Sequence, residues 1–161
     1  MPFEQSITVG FPASFLFAGQ DFLDSGKRQP DSASRRPDEN GIRVLVVDDD
    51  RRIAETVVEV LQTAGFHAKA AFSGESALEI AASFGPDCLL SDVLMPGMNG
   101  VELAIEFRKL LPASRVVLMS GQIGISDILD DAEREGFTFE LLSKPILPRN
   151  LIDQLRKTPK R

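Results

Sequence analysis

From Ile42 onward, short apolar runs alternate with longer stretches in which apolar residues return every three or four positions. A compact run of branched residues marks a strand covered on both faces, and the longer spacing marks an amphipathic helix. The segments IRVLVV (Ile42 to Val47), HAKAAF (His67 to Phe72), DCLLSD (Asp87 to Asp92), RVVLMS (Arg115 to Ser120) and FELLSK (Phe139 to Lys144) predict strands. Ile53, Val57, Val60, Leu61 and Ala64 predict the first helix, which Gly65 closes. Ser73 reads as the N-cap of an alanine-rich helix that runs to about Phe84 and stops at Gly85-Pro86. Gly100 opens a helix with Val101, Ala104, Ile105 and Leu111 that halts around Pro112. Ile125, Ile128, Leu129 and Ala132 predict the next helix, ended by Gly136, and Pro148 fits the first turn of a last one carrying Leu151, Ile152 and Leu155.

Strict alternation of strand and helix predicts an α/β protein built on a doubly wound, five-stranded parallel sheet. In such a sheet the C-terminal ends of the strands share one edge, where ligands bind. Asp48, Asp49, Asp92, Ser120 and Lys144 all fall at predicted C-terminal strand ends. Asp92 is the most prominent, since an apolar run ends there and the chain breaks into Met-Pro-Gly-Met-Asn-Gly.

The bulk composition narrows the classes of function. The chain has 161 residues, 43% hydrophobic and 26% charged, which suits one globular domain with an appendage. A net charge of −6 argues against generic nucleic-acid binding, which needs a basic face. No apolar run is long enough for a membrane-spanning helix. The single cysteine, Cys88, excludes an internal disulfide and a multi-cysteine metal site, so a reducing, cytoplasmic setting is the simplest expectation. Residues 1–40 differ from the rest: Phe11, Phe15, Phe17 and Phe22 are interrupted by Pro12 and Gly19, and a polar stretch with Pro30 and Pro37 follows. They read as a disordered or weakly structured extension, with the globular unit expected over residues 41–158. Glu4 and the lack of early basic residues count against an export signal.

Three carboxylates brought together repel one another unless a cation compensates. Oxygen-only ligands suit a hard ion such as Mg²⁺. With the Lys144 ammonium and the Ser120 hydroxyl added, the set describes a site for a phosphoryl group, in which a carboxylate attacks phosphorus to give an acyl phosphate. Asp92, alone on a central predicted strand, is the best nucleophile.

The motifs VVDD (Val46 to Asp49), SDVLMPGMNG (Ser91 to Gly100), LMSG (Leu118 to Gly121) and SKP (Ser143 to Pro145), in this order and spacing, resemble the receiver domains of two-component response regulators. The resemblance covers about Ile42 to Leu155 and implies the (βα)5 flavodoxin-like fold. By that resemblance Asp92 is the phosphoacceptor, and Mg²⁺ is held by Asp49, Asp92 and the backbone carbonyl of Leu94, with Asp48 acting largely through water. Ser120 and Lys144 would hold phosphoryl oxygens, Ser120 would shift inward as part of the switch, and the bond before Pro145 would be cis. The implied donor is a histidine kinase or a histidine phosphotransfer protein, and the implied readout is binding of a downstream protein or a phosphorylation-dependent homodimer. With only a short basic tail, Lys157 to Arg161, after the final helix, a stand-alone receiver without an output domain is expected, and the resemblance implies a self-phosphorylating and self-dephosphorylating receiver and not a turnover enzyme.

Two positions depart from the family pattern. Leu141 occupies the place three residues before the lysine where an aromatic residue usually reports phosphorylation, which leaves Ser120, the segment Gly121 to Glu135 and Phe139 as candidates for that role. Leu94 and Gln122 lie where side chains can reach the attacking water, and Leu94 cannot orient water, so slow self-dephosphorylation is expected. Two rival readings are a haloacid-dehalogenase-type phosphatase using Asp48 and Asp50, and an interaction module that keeps the fold without using phosphate. The first gives no role to Asp92 and lacks an acidic pair after Lys144; the second gives none to the acidic, hydroxyl and lysine positions together. Asp50 is expected to cap a helix or face solvent, His67 to lie at the surface, Cys88 to pack in the core, and Met95 and Met98 to shape the loop.

Overall fold

A computed structural model describes residues 41–121 and 125–160. The expected N-terminal extension and Gln122 lie outside the described residues. The elements follow as β1 (Arg43–Val47), α1 (Arg51–Thr63), β2 (His67–Ala71), α2 (Gly74–Phe84), β3 (Cys88–Asp92), α3 (Gly100–Leu110), β4 (Arg115–Ser120), α4 (Ser126–Arg134), β5 (Glu140–Ser143) and α5 (Pro148–Leu155). The strands form one parallel sheet in the order β2-β1-β3-β4-β5.

Because side chains alternate across a strand, each central strand feeds two cores. Val44 and Val46 of β1 pack with Leu90, Val117 and Met119 beneath α1 and α5, through Ala54, Val57, Leu61, Leu151 and Leu155. Leu45 and Val47 face the other way, with Leu89 and Leu118, onto α2, α3 and α4 through Ala77, Ala81, Phe107 and Ala132. Covering both faces explains why β1, β3 and β4 are almost continuously apolar. Cys88 is fully buried in the first of these layers, as its place in an apolar strand predicts, and burial pushes its thiol up to about 12.

The helix ends follow local chemistry. Asp50 caps α1, its carboxylate accepting from the Arg52 and Ile53 amides at 2.9 and 3.4 Å. Ser73 and Ser76 form a reciprocal capping box at α2, and Asn99 and Glu102 form one at α3. Gly85 ends α2 in the left-handed conformation (φ 57°), and its amide donates to the Ala81 carbonyl.

The predicted strand limits hold to within one residue: β1, β2 and β3 each lack one terminal residue of the predicted run, and the last strand lacks one at both ends. β5 begins at Glu140, one residue after Phe139, and ends at Ser143, one before Lys144. Phe139 instead packs half-buried against the α2–α4 layer, stacked on Phe137 at 6.3 Å with the Arg108 guanidinium 4.7 Å from its ring centroid. Leu141 is 39% exposed on this edge strand. His67, expected at the surface, is half-buried at the start of β2.

Candidate functional site

The chain leaves β1 for β2 on one side and returns to place β3 on the other, so a crevice opens beyond the C-terminal ends of β1 and β3. Register fixes what lines it. Val47 lies opposite Ser91, so the next residues, Asp48 and Asp92, stand side by side. Ser120 ends β4 opposite Ser143 of β5, and the Lys144 amide donates to the Ser120 carbonyl at 2.8 Å. Thus four strands deliver their terminal polar residues to one edge.

Asp48 is almost fully buried, with its backbone amide bonded to the Ala71 carbonyl at 3.2 Å and its carboxylate accepting from the Asp50 amide at 2.9 Å. Asp92 is half-buried and Asp49 exposed. One carboxylate oxygen from each of the three lies within 4.8 Å of the others. The Lys144 ammonium reaches across from the end of β5 to stand 3.4 Å from Asp48 and 3.5 Å from Asp92. The Lys144–Pro145 bond is cis, as the family resemblance implied. Ser120 is buried at the tip of β4. All five residues singled out by their strand-end positions therefore converge at this edge.

The electrostatics are those of an under-neutralised anionic pocket. Burial, which disfavours the charged form, raises the Asp92 carboxyl above its ordinary value, with nearby Asp49 adding to the rise and Lys144 opposing it. Burial likewise raises Asp48, against the opposing pull of Lys144 and the Asp50 amide. A hard cation that prefers oxygen ligands fits these carboxylates better than a soft or thiophilic metal does.

The β3–α3 loop is held by backbone contacts that the residue pattern did not reveal. The Val93 amide donates to the Met119 carbonyl at 3.0 Å, and the Gly100 amide donates to the Val93 carbonyl at 2.8 Å. A Cβ at Gly100 would collide with the Asp92 carbonyl oxygen, so only glycine lets α3 start against the backbone of Asp92. The signal was the Gly100 of the MPGMNG string, legible as a helix start but not as a contact. Leu94 is 39% exposed beside the pocket, while Met95 is buried and Met98 half-buried.

The family model for the response regulator receiver domain matches residues 44–156. The chain belongs to that family. It is 35% identical over 111 residues to a response regulator receiver protein of Anaeromyxobacter sp. (strain Fw109-5), covering 69% of this chain and 46% of that protein. It is 31% identical over 116 residues to the response regulator receiver protein CpdR of Brucella abortus (strain 2308), covering 71% of this chain and 94% of CpdR. Among solved structures, the chemotaxis protein CheY4 of Vibrio cholerae superposes with a TM-score of 0.65 at 27% identity, over 74% of this chain and 99% of CheY4. Several of the curated relatives it matches are about twice as long as the matched part, which covers 46% and 49% of the first two.

This chain thus contains the receiver domain of a two-component response regulator. Receiver domains bind Mg²⁺ at an acidic pocket, and Asp48, Asp49 and Asp92 form such a pocket here. They are partnered by histidine kinases or phosphotransfer proteins, and the family generally signals and does not turn over substrate. Among the described residues no helix is long and apolar enough to cross a membrane.

Proposed function

We propose that the unit spanning residues 41–158 accepts a phosphoryl group on Asp92 from the phosphohistidine of a cytoplasmic histidine kinase or phosphotransfer protein, and that the aspartyl phosphate changes which protein, or second copy of itself, it binds. The observation that carries this reading is the Lys144 ammonium 3.5 Å from an Asp92 carboxylate raised by burial and set among other carboxylates. A lone buried ion pair would need no further acid; the surplus negative charge of this pocket suits a cation, which together with Lys144 would offset the charge of an incoming phosphoryl group.

In the proposed transfer an Asp92 carboxylate oxygen attacks phosphorus as the phosphorus–nitrogen bond to the donor imidazole breaks. The electron pair leaves with the imidazole nitrogen, which takes up a proton. Lys144 pairs with a phosphoryl oxygen in place of part of its contact with Asp92, and the Ser120 hydroxyl donates to another. Asp49, Asp92 and the Leu94 backbone carbonyl are the residues that would hold Mg²⁺, with Asp48 acting through water. Bound there, the ion neutralises negative charge that the phosphoryl oxygens bring into the pocket. Leu94 offers no hydrogen bond to an attacking water, so the acyl phosphate is long-lived.

Incubation with Mg²⁺ and acetyl phosphate should add one phosphoryl mass to the intact protein, and Asp92→Ala should lose it. Uptake that survives in Asp92→Ala would sink the assignment. Absence of uptake from both acetyl phosphate and a panel of phosphorylated kinases would favour the phosphate-independent module instead.

A further inference from the structure

Gly74, the first residue of α2, is buried, and its backbone is not in the left-handed region that would require glycine. Alanine has the higher intrinsic helix propensity, so propensity does not call for glycine there. The reason for glycine is space. A Cβ at Gly74 would lie 2.6 Å from the Met98 sulfur and 2.8 Å from both Cβ and Cγ of Met98. A new rotamer could withdraw the sulfur, but the Met98 Cβ is fixed to its backbone, so relief requires the β3–α3 loop or the start of α2 to move. The same two segments meet again one residue along each. The Glu75 carboxylate lies 3.8 Å from where a Cβ on Gly97 would stand, and Gly97 has φ 73°. Met98 itself packs on the core layer between the sheet and α2–α4.

The loop so held is the one that follows Asp92. Its ends are pinned by the Val93 and Gly100 backbone bonds described above, whereas between them Leu94 is exposed. We propose that Gly74 is a positioning residue: the notch at its Cα seats Met98, and through Met98 fixes the loop so that the Leu94 carbonyl is presented to the Asp48–Asp49–Asp92 pocket. This rests on the reading of the Leu94 carbonyl as a metal ligand. α2, which supplies none of the site residues named above, thereby sets the metal affinity of the site.

The test is a double-mutant cycle read by Mg²⁺ titration calorimetry and by the amide shifts of Asp92 and Leu94 in metal-free protein. Gly74→Ala should weaken Mg²⁺ binding about tenfold, in the range seen when supports of a metal ligand are removed. In a Met98→Gly background, where no side chain remains to clash, the same change should cost less than about twofold. The amide shifts should be displaced by Gly74→Ala and should move far less when it is added to Met98→Gly. Unchanged affinity in Gly74→Ala, or an equal loss in both backgrounds, overturns the proposal. If Gly74→Ala alone fails to fold, recovery in the double variant supports the notch and failure of both overturns it. Should the wild type bind no Mg²⁺, the metal-site reading is what fails. The notch is then decided by the shifts: displaced in Gly74→Ala and quiet in the Met98→Gly background upholds it, undisturbed amides overturn it.

Discussion

The two edges of the sheet carry similar charges to opposite effect. At the N-terminal edge, where β1, β3, β4 and β5 begin, cations and anions are matched. The Asp87 carboxylate accepts from the Arg43 amide at 2.8 Å and lies 3.7 Å from the Arg43 guanidinium. Arg115 grips both oxygens of Glu140 at 2.7 and 2.6 Å, and donates to the Gln154 carbonyl at 2.6 Å and the Thr158 hydroxyl at 3.0 Å. At the C-terminal edge three carboxylates cluster, and among the described residues Lys144 is the side chain that forms ion pairs with them. The matched edge fastens α5 to the sheet. The unmatched edge carries surplus negative charge, which a bound cation would offset.

The contrast can be broken at several points. The largest effect is expected from Asp92→Ala, which should abolish phosphoryl uptake in intact-mass measurements, whereas Arg115→Ala at the other edge should leave uptake intact. Arg115→Ala should instead lower the unfolding free energy by about 2 kcal/mol in urea melts, since it strips charged hydrogen bonds from Glu140 and from the end of α5. A change in Mg²⁺ affinity in that variant would show that the edges are not independent.

Asp48→Asn should act in both directions. It should weaken Mg²⁺ binding by about tenfold, yet raise the melting temperature of the metal-free protein by a few degrees, because it removes a buried carboxylate. A lower melting temperature would mean that the contacts of Asp48 with Lys144 and the Asp50 amide outweigh its burial. The pH dependence sharpens the same point. Asp48 and Asp92 have raised values in the folded state, so the unfolded chain releases those protons first, at the ordinary value of 3.8. Between that pH and the raised folded values the native state binds more protons, so this pair makes metal-free stability fall as pH rises through the window and then level off. Thermal melts of wild type against the Asp48→Asn, Asp92→Asn double variant, in chelator, isolate that slope; an equal slope in both would refute it. Smallest is the expected effect of Leu94→Asn, which should shorten the acyl-phosphate lifetime a few-fold by offering the attacking water a hydrogen-bonding partner.

Much of this site was legible in the residue order because a parallel sheet turns sequence position into spatial position. Once IRVLVV, DCLLSD and RVVLMS are read as strands, Asp48, Asp92 and Ser120 must share an edge, whatever the helices do. Lys144 was legible for the same reason even though β5 proved one residue shorter at each end than its apolar run suggested. That run misled because Phe139 contributes to a core layer without joining the ladder, and hydrophobicity does not distinguish the two.

By itself, then, the sequence determined the alternation of elements, the helix cap at Ser73, and the identity of the groups gathered at the C-terminal edge. These depend on periodicity and on chemistry local to a few residues. Tertiary structure alone decided that Gly100 lets α3 start against the Asp92 backbone, that Gly74 makes room for Met98, and that Arg115 ties Glu140 to the end of α5. Each of these is a contact between residues distant in the chain or on different elements, and its sign turns on a few tenths of an ångström or on the aim of one side chain. No pattern along the chain encodes such distances; they exist only after the helices have packed on the sheet.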